Sequence, residues 1–184
     1  SSEVGRLMQP FGEAVRRILD SGVAPQIIIP AVPHVRGLIE KALADWPVRP
    51  HLIEGEEDKF RSFKLATAAL AASGTVTLEL ALCGTPAVVA YKVDAIAGSL
   101  RFLVKVPSIV LANLVLGENV YPEFIQENCS PENLANAVLP LLTETSERRR
   151  QLELLAKIPE RMAVPDKPSD AAAEIVLKYA RQGR

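Results

Sequence analysis

Ala66-Thr67-Ala68-Ala69-Leu70-Ala71-Ala72-Ser73-Gly74-Thr75-Val76-Thr77-Leu78-Glu79 is the stretch on which the fold turns. Its run of small apolar residues over 66–72 predicts a central strand covered on both faces, and the chain passes through Gly74 into a helix that stops at Gly84. A strand opening through glycine into a helix leaves backbone NH groups without partners, and those groups attract an anion such as phosphate. Gly74 permits close backbone approach, while the hydroxyls of Ser73 and Thr75 can donate to phosphate oxygens. Glu79, just over one turn into the helix, is placed to accept two hydroxyls from a ribose. The plainer reading makes Ser73 a helix cap and Glu79 a partner for the helix dipole. The pattern is neither a Walker loop nor the three-glycine dinucleotide fingerprint, so ATP hydrolysis and NAD are not indicated.

Working outward, strands and helices alternate. On the amino-terminal side Leu7, Phe11, Val15, Ile18 and Leu19 recur at helical spacing up to Ser21-Gly22, and Gln26–Ile29, closed by Pro30, suits a strand buried on both faces. Val35, Leu38, Ile39, Ala42 and Leu43 form the stripe of a second helix ended by Trp46-Pro47. His51–Ile53 reads as a short strand, followed by the acidic turn Glu54-Gly55-Glu56-Glu57-Asp58 and a brief polar helix around Lys59–Phe63. On the carboxyl-terminal side Ala87–Tyr91 is a buried strand. Asp94 can cap a helix with the stripe Ile96, Leu100, Leu103 and Val104, and Ile109–Leu111 reads as a last strand. Ser130-Pro131 opens a helix that buries Leu134, Val138, Leu141 and Leu142, and a charged helix spans Glu147–Lys157. Ile158–Pro168, with three prolines, reads as a crossing linker before a final helix from Ser169-Asp170 to about Arg181. The pattern predicts an α/β fold: a doubly wound parallel sheet with extra C-terminal helices, divided into residues 1–157 and an appendage of residues 158–184. In such sheets ligands bind outside the carboxyl ends of the strands.

Bulk properties narrow the function classes. A chain of 184 residues, 48% hydrophobic, can bury one sizeable core, and a formal charge of -1 gives no footprint for nucleic acid. Cys83 and Cys129 fit reduced thiols and a cytoplasmic setting: Cys83 a small buried hydrophobe, Cys129 a loop thiol. No charged n-region precedes an apolar stretch at the amino terminus, so a signal peptide is not expected. Arg101, Lys105 and Pro107 interrupt the most apolar region, predicting a soluble or peripheral protein rather than a spanning one. Arg101 and Lys105, one turn apart, suit an anionic membrane surface as well as core packing. The cluster Glu54, Glu56, Glu57 and Asp58 reads as a solvated turn rather than a metal cage. His34, opening a helix after Pro33, is either solvent-facing or near a phosphate or base, and His51 is read as structural.

Four segments in register carry a resemblance. Ser73–Glu79, then Gly84-Thr85-Pro86-Ala87-Val88-Val89-Ala90-Tyr91, then Ala112-Asn113-Leu114-Val115-Leu116-Gly117, then Pro122-Glu123-Phe124-Ile125-Gln126-Glu127 are similar in order and spacing to lipid-A-disaccharide synthases. Ser1-Ser2-Glu3-Val4 resembles the stretch that follows that family's Gly-Ser-Arg phosphate loop. The resemblance implies the UDP-sugar-binding, Rossmann-like half of a GT-B glycosyltransferase, with the acceptor domain and its general base outside this chain. The implied reaction moves 2,3-diacylglucosamine from its UDP donor to 2,3-diacylglucosamine 1-phosphate, releasing UDP and forming the lipid A disaccharide. It further implies that Ser73, Gly74 and Thr75 hold the diphosphate and Glu79 the ribose. Asn113 lies beside the donor sugar or phosphates as the candidate catalytic residue, and Gln126 and Glu123 are weaker donor-site candidates. Lys92 stands where the family carries arginine, and Ala112 where proline is common. No cofactor or metal is expected, since no Asp-x-Asp cluster is visible and helix dipole and NH groups must stabilise departing UDP.

The expected partners are the UDP-sugar donor, an acylated acceptor held by the absent domain, the inner-membrane surface, and a second copy exchanging the C-terminal helix. The isolated fragment is expected to be inactive. Two other readings stay open: half of a UDP-GlcNAc 2-epimerase or another UDP-sugar enzyme, and a non-catalytic binding module in which the Ser-Gly-Thr turn is only a cap.

Overall fold

Leu7, Val15 and Ile18 recur on one face of α1 (Ser2–Asp20), and that spacing buries them against the rest of the chain. The computed structural model describes residues 2–92 and 107–163. After α1 come β1 (Ile28–Pro30), α2 (Pro33–Ala42), β2 (His51–Ile53), α3 (Glu56–Leu65), β3 (Ala69–Ala72), α4 (Thr75–Leu82) and β4 (Ala87–Tyr91). The segment 107–110 leads into α5 (Leu111–Leu116), β5 (Glu123–Ile125), α6 (Pro131–Val138), α7 (Ser146–Leu155) and α8 (Ile158–Met162). The chain is an α/β fold with parallel strands, as the alternation of patterns predicts.

Hydrogen bonds divide the strands into a pair, β1–β2, and a three-stranded sheet in the order β3–β4–β5. In the larger sheet Ala69 pairs with Ala87 and Ala72 with Ala90, while Val89 pairs with Glu123 and Tyr91 with Ile125. β4 sends alternate side chains to opposite faces. Ala87 and Val89 join a cluster with Leu80, Leu116, Tyr121 and Leu155, whereas Val88 and Ala90 join another with Leu7, Ile18, Leu134 and Leu141. Helices therefore cover this sheet on both sides, which is why β4 reads as an uninterrupted apolar run.

Several expectations are corrected. The alanine-rich run yields a strand only from Ala69, and it lies at an edge of the three-stranded sheet rather than its centre. The middle strand is β4, where Val88 and Val89 are at most 1% exposed and pack on opposite faces. Ile109–Leu111 is not a strand: the Ile109 NH donates to the Glu123 carboxylate and its carbonyl accepts from Ser73, so neither joins a ladder. Among the described residues the last strand is instead β5. Glu56, Glu57 and Asp58 form the first turn of α3, where their charges complement the helix dipole, rather than a loop. Ile158–Met162, read as the start of a linker, are helical: Ile158 is fully buried and opens α8 with Pro159 at a first-turn position. Ile28 is 44% exposed, so β1 is not covered on both faces. The Asp94-capped helix, Arg101 and Lys105, and the final helix from Ser169 lie outside the described residues.

Candidate functional site

Because β3, β4 and β5 are parallel, their carboxyl ends share one edge, and the residues that follow them are Ser73, Lys92 and Gln126. At the first of these ends the backbone turns through Gly74, whose φ of 136° and ψ of -163° place it where L side chains are strained. A Cβ built there would meet no atom within 4 Å, so glycine is required by the backbone angle rather than by crowding. The Gly74 carbonyl accepts from both the NH and the hydroxyl of Thr77, closing the first turn of α4.

No side chain caps α4 among the described residues. The plainer reading of Ser73 as a cap is therefore replaced: its hydroxyl donates to the Ile109 carbonyl at 3.2 Å. The first amides of α4 therefore receive no hydrogen bond from a capping side chain. Contrast α6 and α7, where Ser130 accepts from the Asn133 NH and Thr145 from the Arg148 NH. The starts of α2, α3, α5 and α8 also lack a side-chain cap, so the start behind Gly74 stands apart by its place directly at the carboxyl end of a strand of the three-stranded sheet.

Glu79 lies in the second turn of α4, and Lys59 of α3 places its Nζ 3.1 Å from Glu79 Oε1 and 2.9 Å from Glu56. Burial pulls the Lys59 ammonium down, but its hydrogen bonds to Glu56 and Glu79 outweigh this and hold the group above its ordinary value. The ion pair fixes one carboxylate oxygen of Glu79 on the side of α3.

Asn113 is 2% exposed on α5. Its amide nitrogen donates to the Tyr121 carbonyl and its oxygen accepts from the Tyr121 NH, both at 2.9 Å. Tyr121 in turn donates its hydroxyl to the Thr85 carbonyl at 2.7 Å. Burial, and secondarily the nearby Cys83, pushes the Tyr121 phenol well above its usual range. Glu123 is engaged too, accepting from the Ser108 hydroxyl and the Ile109 NH, each at 2.8 Å.

Gln126 follows β5 with a φ of 52°, and it is the one non-glycine residue with positive φ among those described. It borders a cavity of about 500 Å³ together with Lys92, Arg6, Glu13 and Ser130. Sequence reasoning missed the α1 wall of this cavity. The signal was present, since Arg6, Gln9 and Glu13 recur at helical spacing opposite the apolar stripe. Ser108 and Ile109 were missed for another reason: nothing in a loop sequence announces which carboxylate it will meet.

The structure thus gathers Ser73, Gly74, Thr75 and Glu79 at one end of the edge and Gln126 at the other, with Asn113 buried behind them. His34 and His51 are exposed. Cys129 is buried and Cys83 half-buried, and burial raises both thiols. The acidic residues after β2 are paired with cations, Glu54 with Arg36, Glu57 and Asp58 with Arg61. No metal-binding group of side chains occurs among the described residues, nor is any helix there long and apolar enough to cross a membrane.

A family model described as lipid-A-disaccharide synthetase matches residues 1–175. The chain belongs to the lipid-A-disaccharide synthase family. The lipid-A-disaccharide synthase of Bradyrhizobium diazoefficiens is 47% identical over the whole of this chain, which covers 47% of that relative. That of Nitrobacter hamburgensis is 45% identical over the same share of each. The synthase of Rhodospirillum centenum is 38% identical over 96% of this chain and 44% of its own length. The chain therefore spans about half the length of the lipid-A-disaccharide synthases it matches.

Proposed function

We propose that this chain is the donor-binding part of a glycosyltransferase that moves 2,3-diacylglucosamine from UDP-2,3-diacylglucosamine to 2,3-diacylglucosamine 1-phosphate, releasing UDP. The observation that carries the reading is the uncapped start of α4 behind Gly74, on the edge where the parallel strands end. A glycosyl transfer from UDP concentrates negative charge on the leaving diphosphate, and preorganised amides with a helix dipole stabilise that charge without a metal. In this reading the amides following Gly74 and the hydroxyl of Thr75 hold the diphosphate. Glu79, clamped on one oxygen by Lys59, offers the other to the ribose. The cavity beside Gln126 and Lys92 receives the rest of the donor.

Two residues change roles within the reading. Ser73 contributes by fixing the turn, because its hydroxyl proton is already donated to Ile109. Asn113 acts from behind by holding Tyr121, rather than by touching the donor sugar. Acceptor and general base come from the other half of the protein, so the chain alone binds donor without turning it over. Acylated substrates bring the complete enzyme to the inner-membrane surface from the cytoplasmic side.

Calorimetric titration with UDP tests this directly. Binding is expected, with loss of at least about tenfold in affinity for Gly74→Val, which strains the turn, and for Thr75→Pro, which removes an amide. Unchanged affinity in both variants removes the site. A UDP-GlcNAc 2-epimerase reading would win if the full-length protein converted UDP-GlcNAc without an acylated acceptor.

A further inference from the structure

We infer that Glu123 is a positioning residue for the phosphate-facing turn, acting on Ser73 through the backbone of Ile109. This rests on the nucleotide reading above and adds a residue that touches no ligand in it. The connection is continuous. Glu123 Oε1 on β5 accepts from the Ile109 NH at 2.8 Å, and the Ile109 carbonyl accepts from the Ser73 hydroxyl at 3.2 Å. Ser108, 7% exposed, braces the same segment: it donates to Glu123 Oε1 at 2.8 Å and accepts from the Val110 NH at 3.0 Å. Ser73 is itself tied to β4, its NH donating to the Ala90 carbonyl.

The physical consequence follows from the order of the groups. A carboxylate accepting from an NH forms a charge-assisted bond, stronger than a neutral one, and so holds the Ile109 NH firmly. The NH and the carbonyl of Ile109 belong to successive peptide groups joined at its Cα, so a held NH restricts where the carbonyl that meets Ser73 can point. β3 and β5 are not neighbours in the sheet, since β4 lies between them. The segment 107–110 spans that separation, and Glu123 holds it in place. With Ser73 anchored on one side and Thr77 bonded to the Gly74 carbonyl on the other, the turn at Gly74 is held from both ends. The amides that follow are aimed before a ligand arrives, which is the condition for binding without reorganisation.

The test compares UDP and uridine binding by calorimetry in the wild type, Glu123→Ala, Glu123→Gln, Ser73→Ala and the double variant Glu123→Ala/Ser73→Ala. The inference expects Glu123→Ala to weaken UDP about tenfold, the usual scale for a hydrogen bond to a charged group, while uridine affinity stays within about twofold. Glu123→Gln keeps an oxygen that accepts from Ile109 and recovers most of the loss. Ser73→Ala loses as much as the double variant, because both changes break one connection. A role in stability alone would lower UDP and uridine affinity together. The inference is overturned by equal losses for the two ligands, by wild-type UDP affinity in Glu123→Ala, or by multiplied losses in the double variant. Should Glu123→Ala fail to fold, the glutamine and Ser73→Ala variants decide the same question by the same ratio. If UDP binds and Gly74→Val abolishes it while Glu123→Ala is unaffected, only this inference falls. If the wild type binds no UDP, the nucleotide reading falls and takes this one with it.

Discussion

The two sheets of the described residues are built from similar sequence and end in opposite states. β4 and β1 are both short, apolar and β-branched, yet Ala87–Ala90 are at most 1% exposed, whereas β1 begins with Ile28 at 44%. The difference lies in the neighbours. β4 has a strand on each side and a helical layer on each face. β1 has β2 as its one hydrogen-bonded neighbour among the described residues, and its apolar contacts gather in a small cluster around Met8, Ala31 and Ile39. Pro30 fits that position: Ala31 donates to Ile53, so the missing NH of Pro30 faces away from β2 and leaves no ladder bond unmade. The candidate site therefore sits at the strand ends of the more deeply buried sheet, packed between two cores.

The comparison is broken most severely by charge. Val89→Asp places a carboxylate on a position 1% exposed and should cost more than about 4 kcal/mol, enough to unfold the chain. Ile28→Asp should cost under about 1 kcal/mol, because that side chain already meets water. Urea denaturation of the two variants measures the contrast, and similar midpoints would show that the two sheets are equally buried.

A smaller effect is expected at the start of β4. Gln151 on α7, 4% exposed, accepts from the Ala87 NH at 2.8 Å and donates to the Ala87 carbonyl at 3.0 Å. Gln151→Leu keeps the volume but leaves both backbone groups unsatisfied, so a loss of about 2–4 kcal/mol is expected. A loss below about 0.5 kcal/mol in thermal denaturation would mean that the sheet does not depend on this tie.

The smallest effect is read against pH. Tyr121→Phe removes the hydrogen bond to Thr85 and should cost about 1 kcal/mol at neutral pH. Burial raises the folded-state phenol above its ordinary value of 10.0, so the native state holds this proton more tightly than the unfolded chain does. Its stabilising contribution is therefore complete below about pH 10 and erodes as pH climbs beyond that range. The stability gap between wild type and Tyr121→Phe should narrow in alkaline buffer. A gap constant to pH 11 would show that the phenol is not buried in the sense described.

Legibility followed the locality of the signal. α1, α2, β2, β4, α6 and α7 stand where periodicity and caps put them, since each is marked by residues within a few positions of itself. The Ser73–Gly74 turn was visible for the same reason. β5 was missed because Glu123-Phe124-Ile125 is too short to carry a period, and Ile109–Leu111 was misread because three apolar residues resemble a strand wherever they occur. The α1 side of the cavity and the engagement of Glu123 depend on residues far apart in the chain, Arg6 with Gln126 and Ser108 with Glu123.

The sequence by itself determined the alternation of strands and helices, the glycine that turns β3 into α4, and the four segments that mark the family. Those features are local chemistry: side-chain period, backbone freedom and caps act within one or two turns of chain. Only the tertiary structure decided that β4 rather than β3 lies in the middle, that Ser73 ties to Ile109 instead of capping α4, and that Asn113 holds Tyr121. Each of those outcomes is a competition among distant partners for one donor or one buried place, and packing settles it after the local elements have formed.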